Sequence, residues 1–223
     1  PNPRLGLVRE GIRLCRENRL DAVLAVGGGS VIDTAKAVAA GAVYDGDVWD
    51  FFEGRAHAEA ALPIGVVLTI PAAGSESSDS CVITKEDGQL KRHFGGECLI
   101  PRFAILNPAF TCTLPAYQTA CGATDILAHL MERYFTRVDH VDFTDRLLEA
   151  SMRTIINYTP LALEHPDDYD IRAELMWAGT VAHNNLLNTG RIGDWGSTRS
   201  NTSSAQSTTS PTARDWPSFF RPG

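Results

Sequence analysis

The sequence lacks an apolar run of membrane length, a C-x-x-C pair and a basic stripe, and each absence excludes a class of function. A bilayer-spanning helix needs about 20 consecutive apolar residues, so no membrane partner is expected, and no secretory leader is recognisable. Twenty Lys and Arg against 27 Asp and Glu leave a net charge of −7. Such a chain offers little with which to neutralise phosphates, and no nucleic-acid partner is expected. The cysteines, Cys15, Cys81, Cys98, Cys112 and Cys121, are odd in number and scattered. They read as reduced thiols in a cytoplasmic protein.

What the chain does have is 43% hydrophobic content over 223 residues, enough for one large domain or two small ones. Pro1 to Arg19 carries Leu5, Val8, Ile12, Leu14 and Cys15 at helical intervals, with Asn18 as the stop. Asp21 to Val26 is a short apolar run of the kind buried in a parallel sheet, and it feeds into Gly27-Gly28-Gly29-Ser30-Val31-Ile32-Asp33. A helix then packs through Ala35, Ala37, Val38, Ala39 and Ala40. Strand, glycine turn and helix together let bare backbone approach a pyrophosphate at the positive end of a helix. The run matches neither G-x-G-x-x-G nor a P-loop, and a tight turn without ligand is the competing reading.

Tyr44, Trp49, Phe51 and Phe52 are expected to pack under the sheet. Leu62 to Ile70 is a second buried strand, ending in the small-residue loop Pro71 to Ser78, the position at which an open α/β sheet binds ligands. Cys81 to Phe94 reads as a hairpin turning at Glu86-Asp87-Gly88, and Phe103 to Leu106 as a third apolar strand. The stretch Gly122 to Phe135 has helical spacing of Ile126, Leu127, Leu130, Met131 and Tyr134, with Asp125 and His129 four residues apart on one face. A carboxylate and an imidazole make half of a Zn or Fe site, which needs three or four protein ligands; alone, the pair is equally a capping Asp and an ordinary histidine. Asp142 to Tyr158 and Ile171 to Asn188 are further helices, punctuated by Pro160, His165-Pro166 and Gly190. His140, His165 and His183 are expected to be structural or exposed.

In their order, DAVLAVGGGSVIDTAKAVA, VLTIPAAGSESS, the lysine after the hairpin turn, AILNPAFTCTLP, GATDILAHLMERYF and GRIGDWGS resemble the iron-containing (group III) alcohol dehydrogenases, in the branch of butanol dehydrogenases and broad aldehyde reductases. The resemblance covers residues 1 to about 197. It implies a partial α/β dinucleotide-binding domain with a parallel sheet over residues 1–110, a partial all-helical metal-binding domain over 111–197, and a low-complexity tail over 198–223. Gly27, Gly28, Gly29 and Ser30 would hold the pyrophosphate of NAD or NADP, with Asp33 nearby. Thr69, Ala73, Gly74 and Ser75 would face ribose and nicotinamide, although relatives often carry Thr at the place of Ala73. Lys91 would contact the nicotinamide ribose, and Leu106 and Thr111 would flank the ring. Asp125 and His129 would be the first two ligands of a divalent metal, Fe or Zn. The implied chemistry is interconversion of a primary alcohol and an aldehyde, with the ion as Lewis acid and the nicotinamide as hydride carrier. No side-chain nucleophile is required, and the intact family implies a homodimer.

The resemblance stops after Ser197. Relatives place metal histidines where this chain has Thr198 and Thr212, and no histidine follows His183. The Ser, Thr and Pro-rich segment from Thr198 has the composition of a disordered tail. A single-base shift accounts for it: Asn201-Thr202-Ser203-Ser204, written AAC ACG AGC TCx and displaced by one nucleotide, reads Glu-His-Glu-Leu. Both ends are therefore expected to be incomplete, with apolar helix faces left uncovered and a tendency to aggregate. Two alternatives stand beside the family activity. One is an inactive fragment or pseudoenzyme lacking two ligands. The other is a relative of the glycerol dehydrogenase or dehydroquinate synthase kind, disfavoured by Trp49-Asp50-Phe51-Phe52 and Pro71 to Glu76. Reading the encoding DNA in three frames across codons 190 to 223 is expected to show a shifted frame continuing through His-Glu-Leu to a later histidine. Absence of that frame would make the Ser/Thr tail genuine.

Overall fold

The computed structural model describes residues 3–192. The chain forms two compact units, Pro1–Leu68 with Ser75–Ile105 and Thr69–Gly74 with Leu106–Gly223. Thr198, Thr212 and the rest of the Ser/Thr-rich tail lie outside the described residues.

The first unit begins with α1 (Leu5–Asn18), whose buried residues Leu5, Val8, Ile12 and Cys15 recur every three or four positions. Leu14 falls off that stripe and is exposed, contrary to its expected place among the packing residues. Arg19 ends the helix in the left-handed region at φ 52°, its N–H returning to the Arg16 and Cys15 carbonyls. β1 (Val23–Gly27) leads into α2 (Gly29–Ala42), followed by the short helix α3 (Trp49–Phe52) and β2 (Ile64–Leu68). β1 and β2 run parallel, with Val23 opposite Ile64 and Gly27 opposite Leu68. β3 (Ser80–Lys85) and β4 (Leu90–Gly95) make the antiparallel hairpin, and β5 (Phe103–Leu106) completes a three-stranded sheet in the order β1-β2-β5.

Ala35, Ala37, Val38, Ala39 and Ala40 are all buried along α2, as their spacing predicts. Two expectations change. β1 is not buried on both faces: Leu24 and Val26 are exposed while Ala25 is buried, because only alternate side chains of the strand face the helix side of the sheet, and in β5 Phe103, Ala104 and Ile105 are all exposed. The aromatics also pack elsewhere than under the sheet. Phe51 and Phe52 pack against Phe94 of β4, the first tilted and the second edge-to-face, with ring centroids 5.1 and 4.7 Å apart, in a core shared with α1, α2 and the hairpin.

The second unit is helical: α4 (Ala116–Tyr134), α5 (Asp142–Glu164) and α6 (Tyr169–His183) share a core of Ile126, Leu130, Leu148, Ile155, Leu175 and Ala178. Asp168 caps α6 by accepting from the Asp170 and Ile171 N–H groups. Pro160 does not break α5, although the sequence reads it as punctuation; the helix runs on to Glu164 and buries Ala162 in this core. One turn earlier Thr159 donates its hydroxyl to the Ile155 carbonyl at 2.6 Å. Tertiary burial here outweighs a local penalty of about 3 kcal/mol for proline in a helix interior. α6 ends earlier than the periodicity suggests, because Asn185 adopts φ 69° before a short 3-10 turn at Leu186–Asn188.

The segment Thr69–Gly74 belongs to this helical unit and lies directly on α4. A Cβ at Gly122 would sit 2.5 Å from the Pro71 carbonyl oxygen, a contact with backbone that no rotamer change relieves. Gly122→Ala is therefore expected to lower stability by about 1–3 kcal/mol through forced displacement of that segment. Gly95→Ala, where the nearest atom is 3.5 Å away, is expected to leave the denaturant midpoint little changed.

Candidate functional site

In the first unit, Gly28 is the N-cap of α2 and its carbonyl accepts from the Val31 and Ile32 N–H groups, so the glycine run is the turn between β1 and the helix. Ser30 is exposed on the first turn, with Gly27 buried and Gly28 and Gly29 half-buried. A Cβ at Gly27 would sit 2.7 Å from Val31 Cγ2, so only glycine fits while Val31 keeps this rotamer.

Asp33, one turn into α2, accepts from the Ser75 hydroxyl at 2.5 Å and the Val82 N–H at 3.0 Å. It thus ties the helix to Ser75 on one side and to β3 on the other. Burial pushes its carboxyl above the usual range, opposed by the Ser75 and Val82 hydrogen bonds and the positive charges of Lys36 and Lys91. Lys36, one turn further along, is fully buried and donates to the Ser78 carbonyl (2.7 Å), the Ser78 hydroxyl (3.1 Å) and the Ser80 carbonyl (3.0 Å). Burial pulls its ammonium below the usual lysine range, with Asp33 the largest opposing influence. Asp33 and Lys36 lie three positions apart on one helix face and together hold the stretch from Ser75 to Ser80. Sequence reasoning singled out Asp33 and missed Lys36; the signal was a lysine at i+3 on a helix whose packing residues are otherwise almost all alanine.

The remaining cofactor candidates fall in both units. Lys91 is half-buried on β4, opposite Thr84. Thr69 and Ala73 are half-buried in the loop after β2, and Leu106 is half-buried at the end of β5. Thr111 is buried, its hydroxyl donating to the Pro108 carbonyl at 2.7 Å.

In the second unit, α4 brings Asp125 and His129 together: Oδ1 of Asp125 lies 3.9 Å from Nε2 of His129, with side chains 22% and 13% exposed. At a tetrahedral angle, bonds of about 2.0–2.2 Å would place the two donor atoms about 3.4 Å apart, so the pair needs to close by about 0.5 Å to share one ion, and its oxygen–nitrogen donor set suits Zn or Fe. Among the described residues no group of three or more His, Cys, Asp and Glu is arranged to hold a metal. The pair alone supplies two candidate donors. His183 of α6 lies with its ring 4.6 Å from that of His129. Arg133, almost wholly buried, donates to the His129 carbonyl at 2.9 Å and reaches Nδ1 of His183 at 2.7 Å. A guanidinium can only donate, so Nδ1 of His183 accepts. Burial lowers the Arg133 pKa to about 10, with Glu132 opposing the shift, and the group stays charged at neutral pH. Gly74, at φ 58°, lies over the same residue: a Cβ there would meet the His183 Cβ at 2.4 Å. His183 is thus structural, as expected, and packed on the metal-pair histidine.

Two family models match the chain, "Iron-containing alcohol dehydrogenase" over residues 1–108 and "Fe-containing alcohol dehydrogenase family, C-terminal" over residues 119–195. The chain belongs to the iron-containing alcohol dehydrogenase family. It is 47% identical over 197 residues to the probable NADH-dependent butanol dehydrogenase 2 of Bacillus subtilis, covering 88% of this chain and 50% of that protein. It is 39% identical over 198 residues to the NADPH-dependent aldehyde reductase YqhD of Escherichia coli, covering 87% and 51% respectively. The crystal structure of NADH-dependent butanol dehydrogenase A from Thermotoga maritima superposes with a TM-score of 0.93 at 41% identity, over 96% of this chain and 54% of that one. The chain spans about half the length of the curated relatives it matches.

The raised pKa of Asp33 carries a testable sign. Between the ordinary carboxylate range and the raised value the folded chain binds more protons than the unfolded one, so the stability associated with Asp33 falls as pH rises through that window. Asp33→Asn is expected to flatten that part of the pH profile of urea midpoints. An unchanged slope would show that Asp33 titrates normally.

Proposed function

We propose that the protein this chain represents interconverts a primary alcohol and an aldehyde, using NAD or NADP and a divalent metal, Fe or Zn. The observation that carries the reading is the Asp125–His129 pair, aligned on one face of α4 with donor atoms 3.9 Å apart, in a chain of this family. When bound, the ion supplies Lewis acidity toward the substrate oxygen and the nicotinamide supplies or takes the hydride. The chain's own residues bind and orient. Asp125 and His129 hold the ion, and Arg133 fixes the backbone of His129 and the ring beside it. Gly27, Gly28, Gly29 and Ser30 receive the pyrophosphate, with α2 presenting its first N–H groups. Asp33, placed near the pyrophosphate by the resemblance, organises Ser75. Thr69, Ala73, Ser75, Lys91, Leu106 and Thr111 are assigned to ribose and nicotinamide on the strength of the resemblance. The partition into a nucleotide-binding part over 1–110 and a metal-binding part over 111–197 belongs to the same proposal, as does a homodimer for the intact protein. The five free cysteines support a cytoplasmic setting, and no described helix is long and apolar enough to cross a membrane.

A second reading is favoured by the absence of a third ligand among the described residues and by threonine at positions 198 and 212: the chain as written holds nucleotide but does not turn over. One experiment separates the two. Metal content after dialysis and NADH-dependent reduction of butanal are measured on the full chain and on Asp125→Ala and His129→Ala. The first reading expects stoichiometric metal and turnover in the parent chain, both abolished in each variant. Retained NADH binding with neither metal nor turnover establishes the second, and absence of all three removes the nucleotide assignment as well.

A further inference from the structure

His129 has two ring nitrogens and only one is accounted for. Nε2 faces Asp125. Nδ1 is buried and has no hydrogen-bond partner among the described residues, so its desolvation is left uncompensated. The polar group next to it is the carboxylate of Glu132, three residues on along α4, with Oε2 4.0 Å from Nδ1 and a side chain only 5% exposed. The ring is confined on another side by His183, which Arg133 holds. A metal on Nε2 requires the ring proton to be on Nδ1, and a ligating imidazole almost always donates that proton to a carboxylate, a carbonyl or water. Closing 4.0 Å to hydrogen-bond range needs a movement of about 1 Å, within the reach of a side-chain adjustment.

We infer that Glu132 is a positioning residue of the metal pair: it accepts the Nδ1 proton of His129 and so fixes the tautomer and ring orientation in which Nε2 binds the ion. The inference rests on the metal reading of Asp125 and His129. Its rival is a purely structural role, since Glu132 also lies beside the Arg133 guanidinium and opposes the lowering of its pKa.

The experiment uses the full chain and Zn²⁺ alone. Chelator competition gives the dissociation constant for the parent and for Glu132→Gln, thermal melting follows the metal-free fold of each, and proton–nitrogen NMR of the Zn²⁺-loaded parent reads the His129 Nδ1 proton. Glu132→Gln is expected to weaken Zn²⁺ on the order of 10–100-fold. The parent is expected to show a downfield Nδ1 proton protected from exchange. If the variant melts lower yet binds Zn²⁺ as tightly, Glu132 serves Arg133 alone and the inference fails. Should the variant not fold, the parent spectrum decides: an Nδ1 proton that exchanges freely with water overturns the inference. A parent that binds no Zn²⁺ sinks the metal reading itself and the inference with it.

Discussion

A charge taken out of water must find partners, and each unit of this chain is arranged around one that has done so. In the first unit it is Lys36, fully buried in a helix otherwise lined with alanine. Its partners are two carbonyls and a hydroxyl, neutral groups, so the stretch from Ser78 to Ser80 must lie where the ammonium can reach it. Asp33 adds a second tether through Ser75 and Val82. In the second unit Arg133 has the same part: it grips a carbonyl of its own helix and the imidazole of His183, with the Glu132 charge beside it. Arg191 extends the pattern, donating to the Arg133 and Tyr134 carbonyls at the end of α4 and pairing with Asp145. The candidate site residues Ser75 and His129 thus stand beside elements tied down by buried charged groups.

This arrangement explains why a loop of small residues can be held without much apolar contact of its own. Ser75 is 5% exposed, yet its neighbours Ala73 and Gly74 have little side chain to bury. Small side chains allow backbone to come close within the second unit, as at Gly74 over His183 and at Gly122 under Pro71, while in the first unit Ser75 is fixed by its hydrogen bond to Asp33. Substituting a larger residue for any of these glycines displaces backbone, whereas substituting Asp33 or Lys36 frees it.

Much of this was legible in the sequence. The turn from β1 into α2 follows from an apolar run meeting three glycines, and the Asp125–His129 alignment from a four-residue interval on a periodic helix. The parallel pairing and the later all-helical architecture agree with the resemblance. What escaped did so for identifiable reasons. Pro160 reads as a stop because local propensity is visible in sequence, while the burial of Ala162 that overrides it is not. Leu24 and Val26 read as buried because an apolar run does not say which of its alternate faces is covered. Lys36 and Arg133 escaped because nothing in a sequence states that a long charged side chain will be desolvated.

The metal pair shows where such reading ends and geometry takes over. Asp125 and His129 were found by spacing, but spacing is indifferent to which ring nitrogen is free, and that decides whether an imidazole can act as a ligand. Nε2 is turned to Asp125 and Nδ1 is enclosed beside Glu132, an orientation consistent with the proposed metal reading, and His183 limits the ring's rotation. A second ligand pair would meet an imidazole whose ordering is already provided for, which lowers the entropic cost of completing the site. The environment of the His129 ring is therefore set, among the described residues, by side chains of α4 and α6.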